Sequence, residues 1–159
     1  MLRRGRLDFR PYRPEINRML IVCPSCRTTN RVPDARLSED PKCGKCGNSI
    51  LAGKPVALDA AGFDTLVPRT ELPVLVDFWA DWCGPCHAMA PAFERAAVEN
   101  KTRVVFAKLN TEEAQQVAAR FGIRSIPTMI LFKKGQEAAR VSGAMDARSI
   151  GRWLSQQLG

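Results

Sequence analysis

Six cysteines fall in three Cys-x-x-Cys pairs, Cys23/Cys26, Cys43/Cys46 and Cys83/Cys86. Pairs at this spacing either hold a soft metal or exchange disulfides. The first two pairs are sixteen residues apart, within the spacing of zinc sites built from two such pairs. A two-residue spacer turns the backbone so that both sulfurs face one point, and two such turns make a tetrahedral cage of four thiolates. Gly44 and Gly47 permit tight turns with amides aimed at sulfur, and Arg27, Lys42 and Lys45 offset the negative charge of the cage. The single histidine, His87, is far along the chain. Cys23, Cys26, Cys43 and Cys46 are therefore the closed ligand set for one zinc, with plain disulfides or free thiols as the competing reading. Four thiolates leave the metal no open position, so its first role is structural. A redox sensor or a docking surface is the alternative.

Cys83 and Cys86 have no second pair to complete a cage. They follow the apolar run PVLVDFWA and open a helical pattern over 85–99. Free amides and the helix dipole at such a junction favour thiolate, lowering a cysteine from about 8.5 toward neutrality. Pro85 suits the first turn, where a missing N–H costs little. Trp79 and Trp82 flank the pair and read as a docking surface. Asp77 interrupts the apolar run, and burial there raises a carboxyl toward the working pH range. This setting predicts a redox couple.

The elements that position these groups follow from pattern. VALD reads as a strand, AAGFDTLV as a short helix, PVLVDFWA and VVFAKLN as strands buried on both faces. The 85–99 helix carries Met89, Phe93 and Ala96/Ala97 at helical spacing. A helix over 112–121 ends at Gly122. TMILFK and QEAARVSG form a hairpin across Lys134-Gly135. The last helix, 146–158, is capped by Asp146 and buries Ile150, Trp153, Leu154 and Leu158. The prediction is an α/β fold over 55–159 preceded by a small four-cysteine module over 19–54. That module is short of large apolar residues, and about 35 residues cannot bury enough surface without a staple.

Composition bounds the rest. The chain has 159 residues, 45% hydrophobic and 25% charged, as in ordinary globular proteins. No apolar run reaches the roughly 18 residues of a membrane span, and no signal-peptide segment is evident. A cytoplasmic location is expected, where thiols stay reduced or bind metal. Of the net charge of +8, about half lies in the first eighteen residues, with six arginines against Asp8 and Glu15. This segment reads as a disordered basic tail; a true start at Met19 and a targeting sequence are the other readings. Nucleic-acid binding is disfavoured, because the body is only mildly basic and 19–54 offers no aromatic for base stacking.

WCGPC after VDFWA resembles the active site of the thioredoxin family, and the resemblance spans roughly 55–159. SIPT, Ser125 to Thr128, is similar to the family's cis-proline loop, FAKLN to its central strand, and VSGAM to the loop with a substrate-facing glycine, Gly143. Pro91 resembles the proline that kinks the active-site helix by denying a bond to the His87 carbonyl. A zinc ribbon ahead of such a domain is the pattern of the thioredoxin 2 subfamily. His87 departs from the Lys or Arg more usual after the second cysteine.

The resemblance implies a thioredoxin fold, a central mixed sheet flanked by helices, and a protein-disulfide reductase. Cys83 would be the attacking thiolate and Cys86 the resolving one. Asp77, partnered by Lys108, would accept a proton, and Pro127 would be cis. Ile126 would offer its backbone to a substrate strand, with Trp79, Trp82, Gly84, Pro85 and Gly143 around it. The Gly84-Pro85 spacer accompanies reducing members. The implied partners are disulfide-containing proteins and a thioredoxin reductase that binds the NADPH, since nothing here resembles a dinucleotide site. A monomer is expected. The competing functions are a docking module on an inert domain and a reductase whose zinc module responds to oxidation.

Overall fold

A computed structural model of the chain describes residues 17–159. The basic segment expected to be disordered lies, through residue 16, outside the described residues. Strands β1 (Arg18–Val22) and β2 (Thr29–Pro33) form an antiparallel hairpin, with Leu20 opposite Arg31 and Val22 opposite Thr29. A single helical turn, Asp34–Arg36, comes next. The remainder alternates β3 (Val56–Ala57), α1 (Ala60–Arg69), β4 (Val74–Trp79), α2 (Gly84–Glu99), β5 (Val105–Asn110), α3 (Gln115–Arg120), β6 (Thr128–Lys133), β7 (Gln136–Ser142) and α4 (Ala147–Leu158). The five-stranded sheet has the order β3-β5-β4-β6-β7. Strands β3, β5 and β4 run parallel, and β6 and β7 run antiparallel to their neighbours.

Alternation along the central strands fixes two cores. Val74, Val76 and Phe78 face one side, with Phe63, Leu66 and Val67 of α1 and Val117 of α3. Leu75 faces the other, with Met89 and Phe93 of α2 and Ile150 and Leu154 of α4. Successive side chains of a strand point to opposite faces. Asp77 and Trp79 of β4 therefore share the α2 face with Leu75. Lys108 of β5 shares it with Phe106.

Local chemistry explains the boundaries. The expected VALD strand stops at Ala57, because Asp59 turns the chain to cap α1, its side chain accepting the Gly62 N–H at 2.6 Å. The expected 112–121 helix begins only at Gln115. Asn110 takes the Glu112 N–H on its side chain and the Glu113 and Ala114 N–H groups on its carbonyl, closing a turn first. At the other end Gly122 adopts φ +60°, its N–H bonding the Ala119 carbonyl and that of Ile123 the Ala118 carbonyl. That is the Schellman stop. Pro91 lies inside α2, which runs through it. Asp146 caps α4 by accepting the Ser149 N–H.

The N-terminal module has a small core of its own: Ile21, Cys23, Val32, Cys43, Ile50 and Leu51. It is completed by Leu72 from the segment before β4. The outer edge of β1 is closed the same way, with the Glu71 N–H on the Leu20 carbonyl and the Val22 N–H on the Thr70 hydroxyl at 3.2 Å. A strand edge left open is a pairing liability, and here the larger domain covers it. Arg27 adds an ion pair to Asp59 at 2.9 Å.

Candidate active site and metal centre

The third cysteine pair sits where β4 gives way to α2. Cys83 is the N-cap of α2 and Cys86 lies in its first turn, the two joined as a disulfide with Cα atoms 5.3 Å apart. Cys83 Sγ accepts the Cys86 N–H at 3.2 Å, so the sulfur occupies the position where a helix end stabilises negative charge. It also lies 3.7 Å from the Ile126 carbonyl oxygen. The Ile126–Pro127 bond is cis, as the resemblance implied, and the Pro127 carbonyl accepts the Gly143 N–H at 2.9 Å. Gly143 has φ +99°, and a Cβ there would meet open space. Cys83, Ile126, Pro127 and Gly143 thus come together from segments distant in sequence.

Trp82 is 70% exposed and donates its indole N–H to Glu112 at 2.9 Å. With Ala118, Ile123, Arg124, Ser125 and Ile126 it walls an open groove of about 340 Å³ beside the disulfide. Gly84 and Pro85 are exposed at the start of α2. Sequence reasoning missed this groove's far wall, because Ala118, Ile123 and Arg124 bear no nucleophile or metal ligand and only the fold brings them to Trp82. Glu112 was missed because it too meets Trp82 only through the fold.

Asp77 is fully buried, and neither carboxylate oxygen has a partner among the described residues. Burial pushes its pKa up to about 7, with the nearby Lys108 charge opposing the shift. The expected Asp77–Lys108 pairing holds as strand register, but no ion pair forms. The Lys108 ammonium instead lies 4.7 Å from the Trp79 ring centre, a cation–π contact. Trp79 is also met edge-on by His87, at 6.0 Å between ring centres.

The other four cysteines gather from both ends of the small module. Their sulfurs all lie within 4.8 Å of one another. Cys23 and Cys46 are 3.6 Å apart, and Cys26 and Cys43 3.5 Å. A tetrahedral zinc with Zn–S of about 2.3 Å needs sulfurs about 3.8 Å apart, so the donor set and its dimensions fit that ion. None of the four is in a disulfide. The Cys43 thiol is lowered to about 6, first by the Cys46 N–H, then by the Asn30 side chain and the Lys45 N–H. Thr28 lowers Cys26. Such donors favour the thiolates a metal requires at Cys43 and Cys26, whereas at Cys46 the Asn48 backbone bond is outweighed by burial and the three neighbouring thiols, which push it up to about 11.

Together, the mixed sheet, the dithiol at a helix N-terminus and the cis-proline loop define a thioredoxin-fold dithiol–disulfide oxidoreductase. The family model described as Thioredoxin matches residues 54–156, and one described as Thioredoxin 2, N-terminal, matches residues 22–48. The chain belongs to the thioredoxin family and carries the zinc-ribbon module of thioredoxin 2. It is 46% identical over 140 residues to Thioredoxin C-3 of Corynebacterium nephridii, a match that spans 88% of this chain and 96% of the relative. To the thioredoxin of Haemophilus influenzae it is 38% identical over 101 residues, 64% of this chain and 94% of that one. Among solved structures, a mutant thioredoxin from Halobacterium salinarum NRC-1 superposes with a TM-score of 0.61 at 29% identity, covering 67% of this chain and 93% of that one. The activity of the chain is therefore dithiol–disulfide exchange through Cys83 and Cys86.

Proposed function

We propose that this chain reduces disulfides in cytoplasmic proteins, is itself re-reduced by an NADPH-dependent thioredoxin reductase, and binds one structural zinc. The observation that carries the reading is Cys83 at the N-terminus of α2, beside the main chain of Ile126. In the dithiol form the Cys83 thiolate attacks one sulfur of a substrate disulfide in line, forming a mixed disulfide and releasing the other sulfur as thiolate. Cys86 then loses its proton, attacks Cys83 Sγ and releases the second substrate thiolate. The chain is left with the Cys83–Cys86 disulfide, two electrons having passed to the substrate.

Asp77 is the acceptor for the Cys86 proton. It faces α2 from below, and a carboxyl near pH 7 can take that proton and pass it to water. Lys108, held over Trp79, keeps a positive charge close enough to limit the upward shift. Among the described residues the Ile126 main chain has no main-chain partner, so a substrate strand can pair with it, guided by Pro127 and Gly143. Broad specificity follows from main-chain recognition. Trp79, Trp82, Gly84 and Pro85 shape the contact surface.

Cys23, Cys26, Cys43 and Cys46 would hold the zinc, which supplies cross-linking of the 19–54 module and no chemistry to the exchange. Neither the docking-module reading nor the oxidation-responsive one is favoured by a specific contact. The test is NADPH oxidation in a mixture of reductase, a disulfide-containing protein and this chain. Turnover that vanishes with Cys83→Ser supports the reading. Failure of the native chain to couple NADPH to protein-disulfide reduction overturns it.

A further inference from the structure

His87 is the residue next to the resolving cysteine, and its ring reaches back across the active-site turn. Its Nε2 lies 2.7 Å from the Asp81 carbonyl oxygen. A carbonyl only accepts, so Nε2 carries the proton and donates. The same residue's N–H bonds the Cys83 carbonyl at 3.2 Å. His87 is thus fastened on both sides of Trp82, by its side chain to Asp81 and by its main chain to Cys83. The far end of this tie is fixed too. Asn110 Nδ2 lies 3.4 Å from Asp81 Oδ2, and the Cys83 N–H bonds the Ala80 carbonyl at 3.1 Å. The imidazole is steadied by the edge of Trp79.

The tie matters because of where α2 is weak. Pro91 has no N–H to give the His87 carbonyl, so the helical ladder lacks a bond one turn after the dithiol. The turn bearing Cys83 and the helix start bearing Cys86 are joined, beyond the sulfurs themselves, by the two His87 bonds, its N–H to the Cys83 carbonyl and its ring to the Asp81 carbonyl. The His87–Asp81 bond involves neither sulfur, and it favours closure to the extent that the closed form holds it more firmly than the open one.

We propose that His87 is a positioning residue for the exchange reaction. By clamping the Asp81–Cys83 turn to α2, it keeps Cys86 poised against Cys83 and raises the effective concentration of the resolving thiol. This inference rests on the dithiol exchange assigned above and adds the group that sets how readily the pair closes.

The test equilibrates the full chain with defined mixtures of reduced and oxidised glutathione and reads the oxidised fraction by thiol alkylation and mass. The reaction balances as one dithiol plus one glutathione disulfide giving the Cys83–Cys86 disulfide and two glutathione thiols. His87→Leu removes the donor at similar bulk, and His87→Gln retains an N–H within reach. Losing one hydrogen bond that the closed form holds and the open form does not lowers the closing constant about threefold to tenfold. The upper figure is a potential about 30 mV less reducing. The lifetime of the Cys83–glutathione mixed disulfide should lengthen by a like factor in the Leu variant, and Gln should restore both values most of the way.

A Leu variant matching the native constant overturns the proposal, as does a Gln variant no better than Leu. His87 is exposed, so both variants should fold, with circular dichroism as the check. Because the measurement needs neither reductase nor protein substrate, its outcome is separable from the cellular role proposed above.

Discussion

Cys43 and Cys83 make an instructive pair. Each begins a Cys-x-x-Cys unit, each is nearly inaccessible, at 3% and 4% exposure, and each sulfur accepts a nearby main-chain N–H. The two differ in the element that comes next. After Cys43 the chain makes a tight turn, Gly47 donating back to the Cys43 carbonyl, and three more thiols gather around the sulfur. After Cys83 the chain enters a sixteen-residue helix, and the sulfur's neighbours are one other cysteine and the carbonyl of Ile126. A turn with four sulfurs stores negative charge for a cation. A helix end with two sulfurs and an open flank leaves the charge free to attack. The same tetrapeptide spacing serves both because spacing sets only the sulfur–sulfur reach, whereas the next element sets the electrostatics.

The sharpest way to break that comparison is to exchange the losses. Cys83→Ser should abolish disulfide reduction to background while leaving bound metal per chain unchanged. Cys43→Ser should do the reverse, losing the proposed zinc and opening residues 18–51 to proteolysis while the dithiol still reduces small disulfides. Metal content, limited proteolysis and turnover of both variants check it. If Cys43→Ser silences the dithiol as thoroughly as Cys83→Ser, the two regions are one functional unit and the contrast fails.

Asp77 gives the next largest effect and probes only the redox side. Its carboxyl is raised from 3.8 to about 7 in the folded chain by burial. An acid raised on folding stabilises the native state least where it must ionise. Stability therefore falls as pH rises from about 4 to about 7, and the loss is complete above that. A shift of about three pKa units corresponds to roughly 4 kcal/mol. Asp77→Asn should be more stable than the native chain by a few kcal/mol at pH 8 and nearly equal to it at pH 4, by urea denaturation at both. The same variant should slow release of substrate from the mixed disulfide. Equal stabilisation at both pH values would mean the carboxyl stays ionised when buried, and its role as a proton acceptor would fall.

Much of this contrast was legible in the chain itself. The cage and the redox pair were separable from spacing and from the apolar run ahead of Cys83, and Met89, Phe93, Ile150 and Leu154 are buried as helical periodicity predicts. The cis bond at Pro127 was reachable only through the resemblance, since nothing in the tripeptide Ser-Ile-Pro dictates it. Three features were not legible. Lys108 prefers the Trp79 face to an ion pair with Asp77, a choice between two nearby partners that sequence does not rank. The groove wall of Ala118, Ile123 and Arg124 is assembled by α3 and the turn after it. The small module's strands show no period, β1 (RMLIV) being almost wholly apolar and β2 (TNRVP) mostly polar, and they are held by residues outside the module, above all Leu72, Thr70 and Glu71.

That dependence frames the smallest effect, the coupling of one region to the other. Two side chains fasten the module to α1, one at each end of the helix. Thr70, at its C-cap, is buried and takes the Val22 N–H. Arg27 reaches Asp59, the N-cap, but the pair lies in solvent, with side chains 47% and 66% exposed. Burial decides which one counts. Thr70→Ala leaves the Val22 amide without its acceptor in a dry interface, at a cost of about 1–3 kcal/mol. Arg27→Ala removes an ion pair that water and salt already screen, and Asp59 keeps its cap bond to Gly62. Amide exchange across 18–33 should therefore quicken clearly in Thr70→Ala and stay within scatter of the native chain in Arg27→Ala, and raising salt should change neither ordering. A drop in protection as large for Arg27→Ala as for Thr70→Ala would show the surface pair acting as a strut, and the module would then be coupled to the domain through charge rather than through the closed edge of β1.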